Sequence, residues 1–214
     1  MITASALQAG TKQRILDTAE HLFACEGYRG TSLRAITGKA GVNLAAVNYH
    51  FGSKRALLEE VIKRRMGPLN QVRRKRLEEI RARSLTEGKR PDIRAVLTAF
   101  IEPTILFRES ERGAGDFITF IGRSFADPDD TVRTVFHRVI NPMVQLLFRT
   151  VSEALPNQPK DIIFWRLHFT IGALFHTMHI YGAMKPAFMS MTTYIDARSL
   201  VNLIIPYVTA GMKA

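Results

Sequence analysis

The sequence predicts an all-α fold, and three observations carry that expectation. Apolar residues recur at helical spacing from the first segment onward, with Ile15, Ala19, Leu22 and Phe23 falling on one face. The runs are punctuated as helices are, by Ser, Thr or Asn at their starts and Gly or Pro at their ends. No segment shows a sustained two-residue alternation closed by hairpin turns, so a sheet is not expected. At 214 residues, 46% hydrophobic and 23% charged, the chain has the balance of a folded protein long enough for one large or two modest domains.

Element by element, the first helix is expected from a cap at Thr11 to a stop at Gly27. Thr31 or Ser32 caps a short second helix that turns Leu33, Ile36 and Ala40 inward, and Gly41 supplies the tight turn that ends it. Asn43 caps a third helix, residues 44–50, too short to be stable without its neighbours. Ser53 caps a fourth, which runs through Leu57, Leu58 and Val61 to a break at Gly67-Pro68. A basic helical stretch over 69–83 follows, then a loop from Thr86 to Pro91 with Gly88. Further helices are expected at 92–109, 115–126, 129–154, 160–184 and 196–210, limited by Gly113, Asp127-Pro128, Pro156 with Pro159, and Pro186. Pro103, Pro142 and Pro206 fall inside helical patterns, where a kink or break is expected. This organisation gives an N-terminal three-helix domain, residues 1–66, and a C-terminal helical domain, residues 67–214.

Charge divides along the same line. Residues 1–90 hold 18 Lys and Arg against 8 Asp and Glu, whereas residues 91–214 hold 12 against 11, within a net charge of +11. A basic head on a nearly neutral body is the electrostatic footprint of a polyanion binder, with nucleic acid the leading partner and an anionic membrane surface second. The uncharged run from Leu167 to Met184 is near the lower length for a spanning helix, but three histidines, two threonines, Tyr181 and two glycines dilute it, so no membrane segment is expected. The lone Cys25 cannot form an internal disulfide, and the first ten residues lack the basic flank and apolar core of a signal peptide, so a cytoplasmic location is expected.

The richest chemistry lies in Thr31-Ser32-Leu33-Arg34-Ala35-Ile36, Ala40-Gly41-Val42-Asn43 and Val47-Asn48-Tyr49-His50-Phe51-Gly52-Ser53-Lys54. Two short helices joined by a glycine turn let the second enter a DNA major groove while the first braces across the backbone. With Phe23 and Gly27-Tyr28 ahead of them, residues 12–58 closely resemble the helix-turn-helix of the TetR family of transcriptional regulators. The resemblance implies a sequence-specific DNA-binding repressor, not an enzyme, acting as a homodimer on a pseudo-palindromic double-stranded operator and controlled by a small effector. It also implies that Thr31 or Ser32, Asn43, Tyr49, His50 and Lys54 sit against phosphates, while Leu44, Ala45, Ala46 and Asn48 face base edges. Helix-start N–H groups and the Lys54 charge favour an anion, and Arg34 is expected to join them. The apolar Leu44, Ala45 and Ala46 suit thymine methyl groups, and Asn48 suits adenine.

The C-terminal part has no nucleophile–base pair, no phosphate-cradling glycine loop and no paired cysteines, so no catalytic residue and no cofactor is expected. Its content is soft and apolar, and an elongated apolar effector is expected among Phe117, Phe120, Trp165, His168, Phe169, Phe175 and Met178. His168, His176 and His179 share a helix face, the basis of an alternative reading as a helical enzyme or metal protein. That face offers neither a fourth ligand nor a carboxylate, so no metal is expected. The basic clusters Lys63-Arg64-Arg65 and Arg73-Arg74-Lys75-Arg76 read as solvated; the functional alternative is that part of them meets the anionic head of a ligand such as an acyl-coenzyme A. Residues 44–54, Gly67-Pro68, 164–169 and 206–212 resemble the PsrA-type branch, which implies a long-chain fatty acid or acyl-coenzyme A as effector. The apolar faces of 160–184 and 196–210 are expected to dimerise.

Overall fold

The computed structural model describes residues 4–110, 113–125, 127–180 and 195–214. Among these, all regular structure is helical: α1 Ala4–Gly30, α2 Leu33–Ala40, α3 Leu44–Phe51, α4 Lys54–Thr86, α5 Ile93–Ser110, α6 Ala114–Ser124, α7 Thr131–Ala154, α8 Lys160–Ile180 and α9 Ala197–Lys213. The all-α expectation holds. The chain forms two compact units, residues 1–66 with 116–139, and residues 67–115 with 140–214. The second unit therefore differs from the expected 67–214 block, because α6 and the start of α7 pack with the N-terminal helices.

In the first unit α1, α2 and α3 pack mutually. Ile15, Ala19, Phe23, Ile36, Val47, Leu57 and Leu58 are fully buried there. α2 and α3 have eight residues each, below the length at which a helix stands alone in water. Burying Ile36 and Val47, at about 1.5–3 kcal/mol for each such side chain, offsets that deficit. α1 reaches Gly30 only across Gly27, whose φ of 75° and ψ of 168° interrupt the helix where the sequence places its stop. It also begins at Ala4, well before the expected cap at Thr11. Phe120 of α6 lies 5.9 Å from Phe23, ring on ring, and Arg123 Nη1 donates to the Ala24 carbonyl at 3.4 Å. From α7, Arg138 reaches Glu59 at 3.5 Å.

α4 corrects two expectations. It passes through Gly67-Pro68 without a break. Pro68 removes one N–H and leaves the Arg64 carbonyl without its intrahelical donor, but flanking turns keep the axis helical. Several arginines of the two basic clusters are also not solvated. Arg64 Nη1 donates to Asp17 at 2.6 Å and its Nη2 to Glu20, while Arg65 donates to Glu20 at 2.5 and 2.7 Å. Glu20 is buried, so two guanidiniums bind one desolvated carboxylate and tie α1 to α4. In the second unit Arg73 is buried, Arg76 meets Glu102 at 2.5 Å, and Arg81 grips Glu153 through two bonds of 2.6 and 2.7 Å. Successive helical residues point in different directions, so only Arg74 and Lys75 of that cluster stay outside.

The second unit is built on α5 against α9, with α8 beside both. Leu97, Ile101 and Ile105 of α5 and Ile204, Ile205, Val208 and Met212 of α9 form its core with Leu167, Leu174 and Met178 of α8. Arg166 Nη1 donates to the Met212 carbonyl at 3.1 Å and Arg108 Nη1 to the Met178 carbonyl at 2.9 Å. Pro103, Pro142 and Pro206 all lie within helices that continue past them. Expected features at Tyr181 to Met184 and at Pro186 lie outside the described residues, as does the side chain of His179.

Candidate nucleic-acid interface

The interface starts from three capped helix ends. Ser32 is extended, at φ −100° and ψ 155°, and its Oγ accepts the Ala35 N–H at 3.0 Å, so Ser32 and not Thr31 caps α2. Thr31 is 1% exposed and its hydroxyl donates to the Gly27 carbonyl at 2.8 Å. That burial removes Thr31 from the expected phosphate contacts and makes it a brace for the α1 end. Gly41, at φ 63° and ψ 42°, turns the chain into α3 at the left-handed position where a side chain is strained. Asn43 caps α3, its Oδ1 accepting the Ala46 N–H at 2.9 Å, and Ser53 Oγ accepts the Ala56 N–H at 3.1 Å at the head of α4.

The caps set the orientation of α3. Val47 and Phe51 point into the core, which leaves Leu44, Ala45, Asn48 and Tyr49 exposed, with Ala46 and His50 half-covered. Tyr49 is 75% exposed and its ring meets that of His50 edge-on at 5.1 Å. The structure thus gathers Leu44, Ala45, Ala46, Asn48, Tyr49 and His50 on one short helix. Arg34 is exposed on α2, next to the Ser32 cap. The expected pattern of small apolar residues and one amide on the outer face is physically present, and a groove of base edges and thymine methyls is its complement.

Lys54 is held in a way the sequence did not reveal. Its Nζ sits 4.3 Å from the centroid of the Tyr28 ring, and burial lowers its pKa while Asp129 opposes that shift. Burial likewise raises the Tyr28 hydroxyl, with Asp129 adding to the effect and Arg55 opposing it. Tyr28 and Asp129 are functional candidates that spacing cannot find, because they reach Lys54 from α1 and from the loop before α7. The Gly27-Tyr28 pair was the only signal for Tyr28.

Of the seven residues expected around an effector, two belong to the first unit and five to α8 in the second. Phe117 and Phe120 are buried in the first unit. Trp165 and Phe169 are 56% and 68% exposed on α8, His168 is exposed beside them, Phe175 is half-buried and Met178 is buried. Helical period is the reason: Ile163, Leu167, Thr170, Leu174 and Met178 make the inward stripe of α8, and 165, 168 and 169 fall on the opposite side. His168 and His176 are exposed, and no cluster of three or more metal-ligating side chains occurs among the described residues. No described helix is long and apolar enough to cross a membrane.

A capped two-helix unit with an outward reading face, on a basic head joined to a second helical unit, defines a helix-turn-helix transcriptional regulator. Residues 15–61 match the family described as bacterial regulatory proteins, tetR family, and residues 98–211 match the tetracyclin repressor-like C-terminal domain. The chain belongs to the TetR family. Among curated proteins, 59 residues are 41% identical to the HTH-type transcriptional regulator SrpR of Pseudomonas putida, covering 28% of each chain. A further 61-residue alignment is 36% identical to the negative transcriptional regulator IcaR of Staphylococcus aureus, covering 28% of this chain and 33% of IcaR. The chain therefore spans about a third or less of these relatives. In solved structures its fold is similar to the regulator FadR of Bacillus subtilis in complex with stearoyl-CoA, at a TM-score of 0.71 and 14% identity over 93% of this chain and 98% of FadR. The fatty acid degradation regulator FadR of Bacillus halodurans gives 0.65 and 16% over 94% and 95%.

Proposed function

We propose that this protein is a homodimeric repressor that reads a pseudo-palindromic operator with α3 and is released by an elongated apolar effector, in the cytoplasm, where a single unpaired Cys25 is at home. The observation that carries the DNA-reading part is α3 itself, an Asn43-capped helix whose inward Val47 and Phe51 leave Leu44, Ala45, Asn48 and Tyr49 outside. Ser32, Arg34, Asn43, Tyr49, His50 and Lys54 position phosphates, and Leu44, Ala45, Ala46 and Asn48 read bases. Trp165, Phe169, Leu203 and Tyr207, all more than half exposed on α8 and α9, supply the dimer surface. The effector reading is supported by the likeness in fold to a FadR that holds stearoyl-CoA, and by the resemblance to the PsrA-type branch. The enzyme or metal-protein alternative has no observation in its favour.

The test is a footprint on DNA upstream of the protein's own gene, with affinity measured against salt. One protected two-fold element, bound at least a thousandfold more tightly than unrelated duplex, is the expected result. Equal affinity for every duplex would reduce the protein to a basic surface and overturn the reading.

A further inference from the structure

Arg73 is a cation in the interior of the second unit. It is 4% exposed. Its Nε donates to the Phe100 carbonyl at 3.2 Å, Nη1 to Asn70 Oδ1 at 2.9 Å and Nη2 to Thr104 Oγ1, while the guanidinium lies 4.2 Å from the Phe100 ring centroid. Every one of these partners is neutral. Glu102, on the same helix as Phe100 and Thr104, goes to Arg76 instead. A guanidinium has five N–H donors, so two remain without an acceptor among the described residues, one on each terminal nitrogen. Burying a charge with no opposite charge beside it is costly, and neutral acceptors offset only part of that cost. Burial also pulls the pKa of Arg73 down to about 9, which leaves it charged at neutral pH. An interior cation that lacks its counter-ion and keeps two donors in reserve suits an anion supplied from outside the chain.

We propose that Arg73, set between Asn70, Phe100 and Thr104 at the α4–α5 contact, is the receptor for a carboxylate on the effector. The inference rests on the effector-controlled reading above and narrows it from an apolar molecule to an apolar acid. Planar, forked donors recognise the two oxygens of a carboxylate better than a point charge does. Thr104 is held for this geometry, since its hydroxyl donates to the Phe100 carbonyl at 2.9 Å and so turns its lone pairs to Arg73.

The experiment is calorimetric titration of the full-length protein with oleate, methyl oleate and oleoyl-coenzyme A, together with release from operator DNA. Oleate should bind the wild type at least tenfold more tightly than its methyl ester, and Arg73→Met should erase that difference by weakening oleate alone. Arg73→Lys should keep part of it. If Arg73→Met does not fold, the Nε–H resonance of Arg73 in the wild type decides the question: it should move with oleate and stay still with the ester. Equal binding of acid and ester, an acid preference that survives Arg73→Met, or an Arg73-dependent response to the coenzyme A ester without one to oleate would each overturn the carboxylate assignment. Release from DNA by acid and ester alike would remove the anion site and leave the effector-controlled regulator standing. A wild type that binds its operator yet ignores all three compounds would remove both this site and the fatty-acyl effector.

Discussion

Asn48, Tyr49 and Lys54 are seven residues of chain from end to end, yet their surroundings assign them different work. Asn48 is exposed on the outer face of α3 and carries the only amide there, so it is the group able to offer a donor and an acceptor to one base. Tyr49 and Lys54 offer a hydroxyl and a charge, which any phosphate accepts. Asn48→Ala is therefore expected to lower discrimination between operator and altered operator by about 1–3 kcal/mol while leaving nonspecific binding intact. Tyr49→Ala and Lys54→Ala are expected to weaken binding to every duplex, and Lys54→Ala to reduce the salt slope by about one unit per subunit. Parallel gel-shift titrations on two duplexes check all three, and an Asn48→Ala protein with full sequence preference would remove Asn48 from the reading set. Tyr28 belongs at this scale too, since losing its ring would free Lys54 from a seat 4.3 Å away.

At the scale of elements, the first half of α4 is tied by ion pairs to α1 and to α7. Its arginines hold α1 through Glu20, and its Glu59 meets Arg138 of α7. Replacing Glu20 with Gln leaves Arg64 and Arg65 facing a neutral group in a partly desolvated place. Breaking such a buried arrangement from the shared partner costs about 3 kcal/mol, taken at the lower end because both arginines keep some solvent. Urea unfolding of Glu20→Gln should show a lowered midpoint with an unchanged slope, and an unchanged midpoint would mean the clamp contributes nothing. Pro68 makes the opposite case. α4 is helical on both sides of it, so the ring interrupts a hydrogen bond that the fold otherwise provides for. Pro68→Ala is expected to raise stability by about 1–3 kcal/mol, read as a higher melting temperature. A fall in melting temperature would show that the proline relieves strain in the helix.

At the scale of the molecule, α8 and α9 leave an aromatic face uncovered. Trp165, Phe169 and Tyr207 are each more than half exposed, and Trp165 and Phe169 stack at 6.4 Å. A patch of this kind on a DNA-reading protein fits a second copy, because two recognition helices about 34–36 Å apart match successive major grooves. The double variant Trp165→Glu with Tyr207→Glu should sediment as a monomer at micromolar concentration, with its helix content intact. It should also lose most operator affinity, since one subunit then binds a half-site alone. A dimer that persists in this variant would place the interface elsewhere. The proposed effector control would be a whole-molecule property as well: a ligand moves a regulator off DNA only to the extent that it binds the released form better than the DNA-competent one.

What the sequence by itself determined is the part of the protein governed by short range. Helical spacing, caps three residues from the N–H they receive, and glycines at the ends of α1 and α2 are local events, so the three-helix head and the reading face of α3 were legible from residues 12 to 58. Only the tertiary structure decided the rest. Choosing Ser32 over Thr31 as the cap required knowing that Thr31 is buried against the end of α1. The carboxylates that Arg64 and Arg65 hold and the Phe100 carbonyl that Arg73 meets lie 27 to 47 residues away, and nothing in a run of basic residues tells which members will be desolvated. The side chains expected around an effector divide between the two units, and Trp165, His168 and Phe169 lie on the exposed side of α8, because residue type and helical period specify that a side chain is buried, whereas packing alone specifies against what.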